Sequence, residues 1–197
     1  MKGTLFIVAT PIGNLDDITF RAVETLNSID IVLAEDTRHS KKLLKHLNIE
    51  KPIRAFHEHN EREKTKASIN ELHSGKSIAL ISDAGTPLIS DPGFSLVTQA
   101  KKEGLRVVPI PGASALIAAL SASGLASDRF TFFGFLPSKK TVRIKLLKTL
   151  LYQTKTSIFY ESPKRILATL NEMNAIFGSS REVCLAKELT KVFETIR

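Results

Sequence analysis

Apolar and polar positions along the chain follow two alternating rhythms. Leu5, Phe6, Ile7, Val8 and Ala9 form an unbroken apolar run, the pattern of a parallel strand covered on both faces. Similar runs predict strands at 29–34, 53–56, 77–82 and 106–110. Between them, apolar residues recur three and four apart. That spacing predicts helices over 18–28, capped by Asp17, over 37–47, and over 61–73, ended by Gly75. A fourth helix is predicted over 92–103, with Asp91 as N-cap, Pro92 in the first turn and Gly104 after its end. Strands alternating with helices in this way predict an α/β domain built on a doubly wound, mostly parallel sheet.

From Pro111-Gly112-Ala113-Ser114-Ala115 onward a helix rich in small residues is expected, then a linker over 124–129. The alternation then restarts: strand 130–135, helix 138–151, strand 157–160, a helix opened by Ser162-Pro163 and running to about 177, and a last strand at 182–186. The expected organisation is an N-terminal α/β domain over 1–111, a connecting helix and linker over 112–129, and a second, smaller α/β domain over 130–197. The second domain's mixed sheet looks incomplete, with three clear strands. Val183, Cys184 and Leu185 read as its buried residues. Leu189, Val192, Phe193 and Ile196 beyond them need a neighbour, so an exposed edge or apolar patch is expected there, with association between chains.

Composition narrows the function classes. No apolar run nears the roughly 18 residues of a membrane span, and no signal-peptide pattern opens the chain. Cys184 is the single cysteine, which excludes a disulfide framework and fits a cytoplasmic protein. The formal net charge of +8 favours an anionic partner such as nucleic acid. The cations cluster in two places: Arg38, Lys41, Lys42, Lys45, Lys51 and Arg54, then Lys139, Lys140, Arg143, Lys145 and Lys148. Each cluster is either a surface for phosphates or a solvated helix face.

The loops that follow the strands are the candidates for chemistry. They are Thr10-Pro11-Ile12-Gly13-Asn14, Glu35-Asp36-Thr37-Arg38, the segment from Ser82 to Gly93, and Pro109-Ile110-Pro111-Gly112-Ala113-Ser114. In an open parallel sheet all four gather at one edge, where ligands bind. Taken singly, each is ordinary turn chemistry. Together they offer main-chain groups, hydroxyls and carboxylates for a polar small molecule. No G-x-G-x-x-G follows the first strand, and neither a P-loop nor a nucleophile elbow is present. His57 and His59, two apart on a predicted strand, lack further ligands for a metal and read as polar rim residues.

Six segments carry a resemblance. They are Ala9-Thr10-Pro11-Ile12-Gly13-Asn14-Leu15-Asp16-Asp17, Ala34-Glu35-Asp36-Thr37-Arg38, Ser82-Asp83-Ala84-Gly85-Thr86-Pro87, Pro111-Gly112-Ala113-Ser114-Ala115, Phe159-Tyr160-Glu161-Ser162-Pro163 and Lys187-Glu188-Leu189-Thr190-Lys191. In this order they resemble the motifs of the ribosomal RNA small subunit methyltransferase I family, within the tetrapyrrole (corrin/porphyrin) methylase superfamily. The resemblance implies S-adenosylmethionine as methyl donor and the ribose 2′-OH of a cytidine in the decoding region of 16S rRNA as acceptor. It implies two α/β domains and a homodimer. Family members run longer, so by resemblance the chain reads as truncated at its C-terminal end.

The same resemblance implies cofactor-binding roles for Pro11, Ile81, Ser82, Asp83, Thr86, Ser114, Ala115, Tyr160 and Leu189. The tetrapyrrole enzymes have Gly-Asp-Pro where this chain has Ser82-Asp83-Ala84. Asp36, Glu161, Lys187 and Glu188 are candidates for a general base, with Lys187 and Glu188 preferred because they follow a predicted strand end. Arg38, Lys41, Lys42, Lys45, His57 and His59 are the expected RNA contacts. No metal is expected. Two other readings are a methyltransferase acting on a small molecule such as a tetrapyrrole, which needs no extended positive rim, and a non-catalytic RNA-binding protein with no affinity for S-adenosylmethionine.

Overall fold

A computed structural model describes residues 2–197, in two units divided after Ala115. The first contains five parallel strands: β1 (Thr4–Val8), β2 (Ile31–Ala34), β3 (Ile53–Ala55), β4 (Ile78–Ile81) and β5 (Arg106–Ile110), in the order β3-β2-β4-β1-β5. Side chains alternate across this sheet, as a period of two requires. Leu5, Ile31, Leu33, Ile78 and Leu80 point to one face. There they meet Ile69 and Leu72 of α3 (Glu61–His73) and Leu96 and Ala100 of α4 (Phe94–Lys102). Val8, Val32, Ala34, Ala79 and Ile81 point to the other. They meet Ala22 and Leu26 of α1 (Phe20–Ser28) and Leu44 of α2 (Thr37–His46). Both faces are covered, so strands β2 and β4 are buried at every position.

The strand order fixes where a ligand can enter. The connection from β1 through α1 leads one way, to β2. The connection from β4 through α4 leads the other way, to β5. Neighbouring strands β1 and β4 therefore send their helices to opposite faces, which leaves a crevice at their C-terminal ends.

Two helix starts differ from those the sequence predicts. Residues 15–17 form a short 3-10 turn capped by Asn14, and Thr19 rather than Asp17 caps α1, accepting the Ala22 N–H at 3.1 Å. Helix α4 begins at Phe94, not at Pro92, and Asp91 does not cap it. The Glu61 carboxylate at the start of α3 takes that role, accepting the N–H groups of Gly93 (3.2 Å) and Ser95 (2.9 Å). Gly93 has φ 131°, and a Cβ there would come within 2.6 Å of the Leu80 side chain. Only glycine fits this turn.

Helix α5 (Ala115–Ala122) spans the division between the units. The second unit contains β6 (Phe130–Phe135) paired in parallel with β7 (Thr156–Tyr160), and helices α6 (Lys140–Thr149) and α7 (Ile166–Phe177). Phe132 and Phe135 meet the Tyr160 ring edge-on, and Phe133 stacks on Phe159 at 5.2 Å. The expected strand at 182–186 does not form. Instead β8 (Ala186–Lys187) pairs antiparallel with β9 (Thr195–Ile196). Val183 is exposed and Cys184 only half-buried, because no strand pairs with the chain at these two positions. Val192 and Phe193, in the turn between β8 and β9, are also exposed. Helix α7 starts at Ile166, after a turn, rather than at Ser162-Pro163.

Candidate functional site at the sheet edge

Loops after four strands of the first unit are fastened to one another. Thr10 and Gly85 form an antiparallel bridge, with N–H to C=O distances of 2.9 and 3.0 Å in the two directions. The Thr10 hydroxyl also donates to the Ser82 carbonyl at 3.1 Å, and the Ser82 hydroxyl donates to Gly85 C=O at 3.0 Å. These bonds join the β1 loop to the β4 loop across the crevice. The Thr86 hydroxyl donates to Ala113 C=O at 3.1 Å, which brings in the β5 loop. The Asp36 N–H donates to the Asp83 carboxylate at 3.1 Å, which brings in the β2 loop. The convergence expected from the sequence is therefore built from named hydrogen bonds, most of them buried or partly buried.

The β4 loop holds an unusual backbone. Gly85, Leu88, Ser90 and Gly93 all have positive φ, at 86°, 71°, 68° and 131°. For Leu88 and Ser90 this costs on the order of 1–3 kcal/mol each and persists only where the surroundings enforce it. Such strain gathers at ligand clamps, and here it turns successive main-chain groups toward different directions within twelve residues.

Carboxylates line the same edge. Glu35 is exposed, whereas Asp83 and Asp91 are partly buried. Burial, then the neighbouring charges of Glu35 and Asp83, push the Asp91 carboxyl up to about 6, against a hydrogen bond with Ser82 that lowers it. Glu35, exposed overall, is raised mainly by partial desolvation of its carboxyl and then by Asp83. The sequence predicts a helix cap at Asp91 and assigns Glu35 no role of its own. The local signal at Asp91 suits a cap, but the cap comes from Glu61, 32 residues away from Gly93.

Of the expected cofactor residues, Pro11, Ile81, Ser82, Asp83, Thr86, Ser114 and Ala115 belong to this loop cluster. Pro11, Ile81 and Ser82 are buried within it. Tyr160 and Leu189 lie in the second unit, at the end of β7 and just after β8. Lys187 is exposed at the end of β8. Glu188 (φ 54°) and Thr190 (φ 67°) make the turn that follows strained as well, and Glu188 faces Lys191 at 3.5 Å. Glu161 is committed to structure: it accepts the Ser162 N–H at 2.7 Å and the Thr169 hydroxyl at 2.8 Å, and it pairs with Arg165. Asp36 caps α2 and chelates Arg38 through the guanidinium at 3.3 and 3.2 Å.

His57 and His59 sit in the turn after β3, not on the strand, with ring centroids 6.0 Å apart. The Asn60 amide lies 3.2 Å from the His57 ring, and Asn60 also accepts the His57 N–H. No group of three or more metal-ligating side chains occurs among the described residues. Nor is any helix there long and apolar enough to cross a membrane.

Comparison with known proteins adds to this geometry. Residues 4–197 match the model of the family Tetrapyrrole (Corrin/Porphyrin) Methylases. The chain is 58% identical over 195 residues to "Ribosomal RNA small subunit methyltransferase I" of Pseudomonas aeruginosa, covering 99% of this chain and 69% of that protein. It is 52% identical to the protein of the same name from Escherichia coli O157:H7, covering 99% and 68%. Among solved structures, a diphthine synthase is similar with a TM-score of 0.72 at 12% identity, covering 98% of this chain and 80% of that one. The uroporphyrin-III-C-methyltransferase from Thermus thermophilus is similar with a TM-score of 0.65 at 18% identity, covering 100% and 84%. At such identities the two structures bear on the fold alone.

Proposed function

Because the chain belongs to the tetrapyrrole (corrin/porphyrin) methylase family, we propose that it is an S-adenosylmethionine-dependent methyltransferase acting on the ribose 2′-OH of a cytidine in the decoding region of 16S rRNA. The observation that carries the chemistry is the loop cluster at the C-terminal ends of β1 and β4, tied by the Thr10–Gly85 bridge and holding strained main chain and neighbouring carboxylates. The substrate is carried by the identity of 52–58% to relatives named for ribosomal RNA.

The residues present suit the cofactor. S-adenosylmethionine has ribose hydroxyls, a cationic sulfonium and ammonium, and an apolar adenine face. Asp83, Glu35 and Asp91 offer acceptors and negative charge to the first groups, while Pro11 and Ile81, buried beneath the loops, back the cluster from the core. Thr86, Ser114 and Ala115 complete the first unit's share. Bound there, the donor supplies an electrophilic methyl, and the protein's task is to orient the acceptor oxygen in line with it. A 2′-OH is a poor nucleophile, so a positioned base helps. Glu161 is engaged by its own hydrogen bonds and Asp36 by Arg38, while Glu188 faces Lys191 at a longer 3.5 Å. Glu188, or Lys187 in its neutral form, is our assignment for accepting the proton. Arg38, Lys41, Lys42, Lys45, His57 and His59 form the RNA-facing side in this reading. We also propose a homodimer acting in the cytoplasm.

The test is transfer of labelled methyl from S-adenosylmethionine to 16S rRNA or the assembled small subunit, followed by mapping of alkali-resistant linkages. Label on a cytidine ribose supports the reading. Label transferred only to a tetrapyrrole, or none to any acceptor despite cofactor binding, contradicts it.

A further inference from the structure

Outside the loop cluster, the first unit carries a groove of about 830 Å³ between the second half of α2 and the segment leading into β3. Its lining includes Leu44, Ile49 and Ile53 as apolar surface, and Lys41, Lys45 and Lys51 as cations. Glu50 is the one acidic residue in that lining. Among the described residues, none of the three lysines has a carboxylate within ion-pair distance. The flanking arginines differ: Arg38 is held by Asp36, and Arg54 by Glu71 at 2.8 Å.

The way α2 ends makes this wall hospitable to anions. A helix C-terminus ordinarily presents carbonyls and partial negative charge. Here Asn48 adopts φ 55°, the Ile49 N–H donates to Leu44 C=O at 2.8 Å, and the Asn48 N–H donates to Lys45 C=O at 3.1 Å. This is a Schellman turn, with Ile49 packed alongside Leu44 in the core on that face of the sheet. It satisfies the Leu44 and Lys45 carbonyls from within, which leaves the lysine side chains as the main charges of the groove. Lys41 and Lys45 stand one turn apart, roughly 6 Å along the axis. That spacing suits successive phosphates on a strand better than a single small anion.

We propose that this groove is a docking track for the phosphodiester backbone of the RNA substrate, with Lys41, Lys45 and Lys51 meeting phosphates. The proposal rests on the RNA-methylating reading above and adds Lys51 to the contacts. Flexible lysines position a charged strand without reading its bases.

The experiment measures anisotropy of a labelled single-stranded 16S rRNA segment over a salt series. The variants are the triple Lys41→Gln/Lys45→Gln/Lys51→Gln and a matched triple, Lys66→Gln/Lys101→Gln/Lys102→Gln, on α3 and α4 across the sheet. The plot of log affinity against log salt should flatten by about 2 in the groove variant, at about 0.7 for each phosphate no longer neutralised. The matched triple should keep the wild-type slope, and calorimetry should show unchanged affinity for S-adenosylmethionine in both. A wild-type slope in the groove variant overturns the proposal and leaves the RNA reading standing. Equal flattening in the matched triple also overturns it, since net charge alone would then explain the effect. A wild-type protein that binds S-adenosylmethionine but no RNA defeats both.

Discussion

Helices α2 and α6 each run ten residues and each carry a basic cluster, yet their cations meet different partners. On α2, Lys41, Lys42 and Lys45 are exposed. On α6, Arg143 is 4% exposed. Its guanidinium donates to both oxygens of Glu172 on α7 at 2.7 and 2.8 Å, and to the carbonyls of Pro137 and Ser138 at 3.1 Å each. The pair holds the Glu172 carboxyl below the usual carboxylate range. So a cluster open, on its sequence, to either a phosphate-binding or a solvated reading has at its centre a side chain that joins two helices. The difference lies in the chemistry of the residue as well as in its place. A planar guanidinium can satisfy a carboxylate bidentately in a buried site, whereas lysine keeps a hydrated point charge on a mobile stem.

The largest expected effect breaks the α6 side of this comparison. Arg143→Ala leaves the partly buried Glu172 without its partner and should cost about 3 kcal/mol in urea unfolding. The double change Arg143→Met/Glu172→Leu should recover most of it, because two apolar side chains leave no charge stranded. If Arg143→Ala unfolds like wild type, Arg143 is a surface cation after all and α6 resembles α2.

A smaller stability effect is expected at Glu161, which the sequence places among candidate bases. Glu161→Gln removes the charge that Arg165 pairs with and keeps one acceptor oxygen, for either the Ser162 N–H or the Thr169 hydroxyl. It should cost about 1–3 kcal/mol. Methyl transfer measured well below the variant's melting temperature should then keep its pH profile. A shifted profile would return Glu161 to the reacting atoms.

On the α2 side the expectation inverts. Changing Lys41, Lys42 and Lys45 to Glu should cost about 1–2 kcal/mol in unfolding, because the new carboxylates oppose the C-terminal end of α2, well short of the Arg143 effect. RNA affinity should fall at least tenfold and lose most of its salt dependence. An unchanged affinity would make α2 a plain solvated face.

How much of this is legible in the sequence follows from how far apart the interacting residues are. The five strands of the first unit and their covering helices can be read, because buried strands show as apolar runs and helices by local spacing. The four converging loops follow from strand polarity. What escapes the sequence depends on distant partners. Glu61 caps α4 from another helix, and Glu172 takes Arg143 out of solvent from 29 residues away. Val183-Cys184-Leu185 has strand-like composition, but the pairing with Thr195–Ile196 begins only at Ala186. Asp91 shows the same limit at the site. Its residue type suits a helix cap, and only the fold reveals that it shares an edge with Glu35 and Asp83.

Asp91 gives the smallest of these effects and a sign that can be checked. Its carboxyl titrates at about 6 in the folded chain, above its value of 3.8 when free. The folded state therefore holds the proton more tightly, and stability is lost as pH rises from about 4 through about 6. Asp91→Asn should be more stable than wild type at pH 8 by roughly 1 kcal/mol, allowing for solvent screening of a half-buried group, and no more stable at pH 4. An advantage that is the same at both pH values would show that the carboxylate cluster does not govern Asp91.

The loop cluster itself is tested most directly by titrating S-adenosylmethionine into wild type, Asp83→Ala and Asp83→Asn in a calorimeter. Asp83→Asn keeps an acceptor for the Asp36 N–H and so guards the loop geometry. One site per chain is expected in wild type, with at least tenfold weaker binding in both variants, because each removes the carboxylate charge. Wild-type affinity in Asp83→Ala, or no binding of S-adenosylmethionine by the wild-type chain, would contradict the assignment of the cofactor to the crevice between β1 and β4.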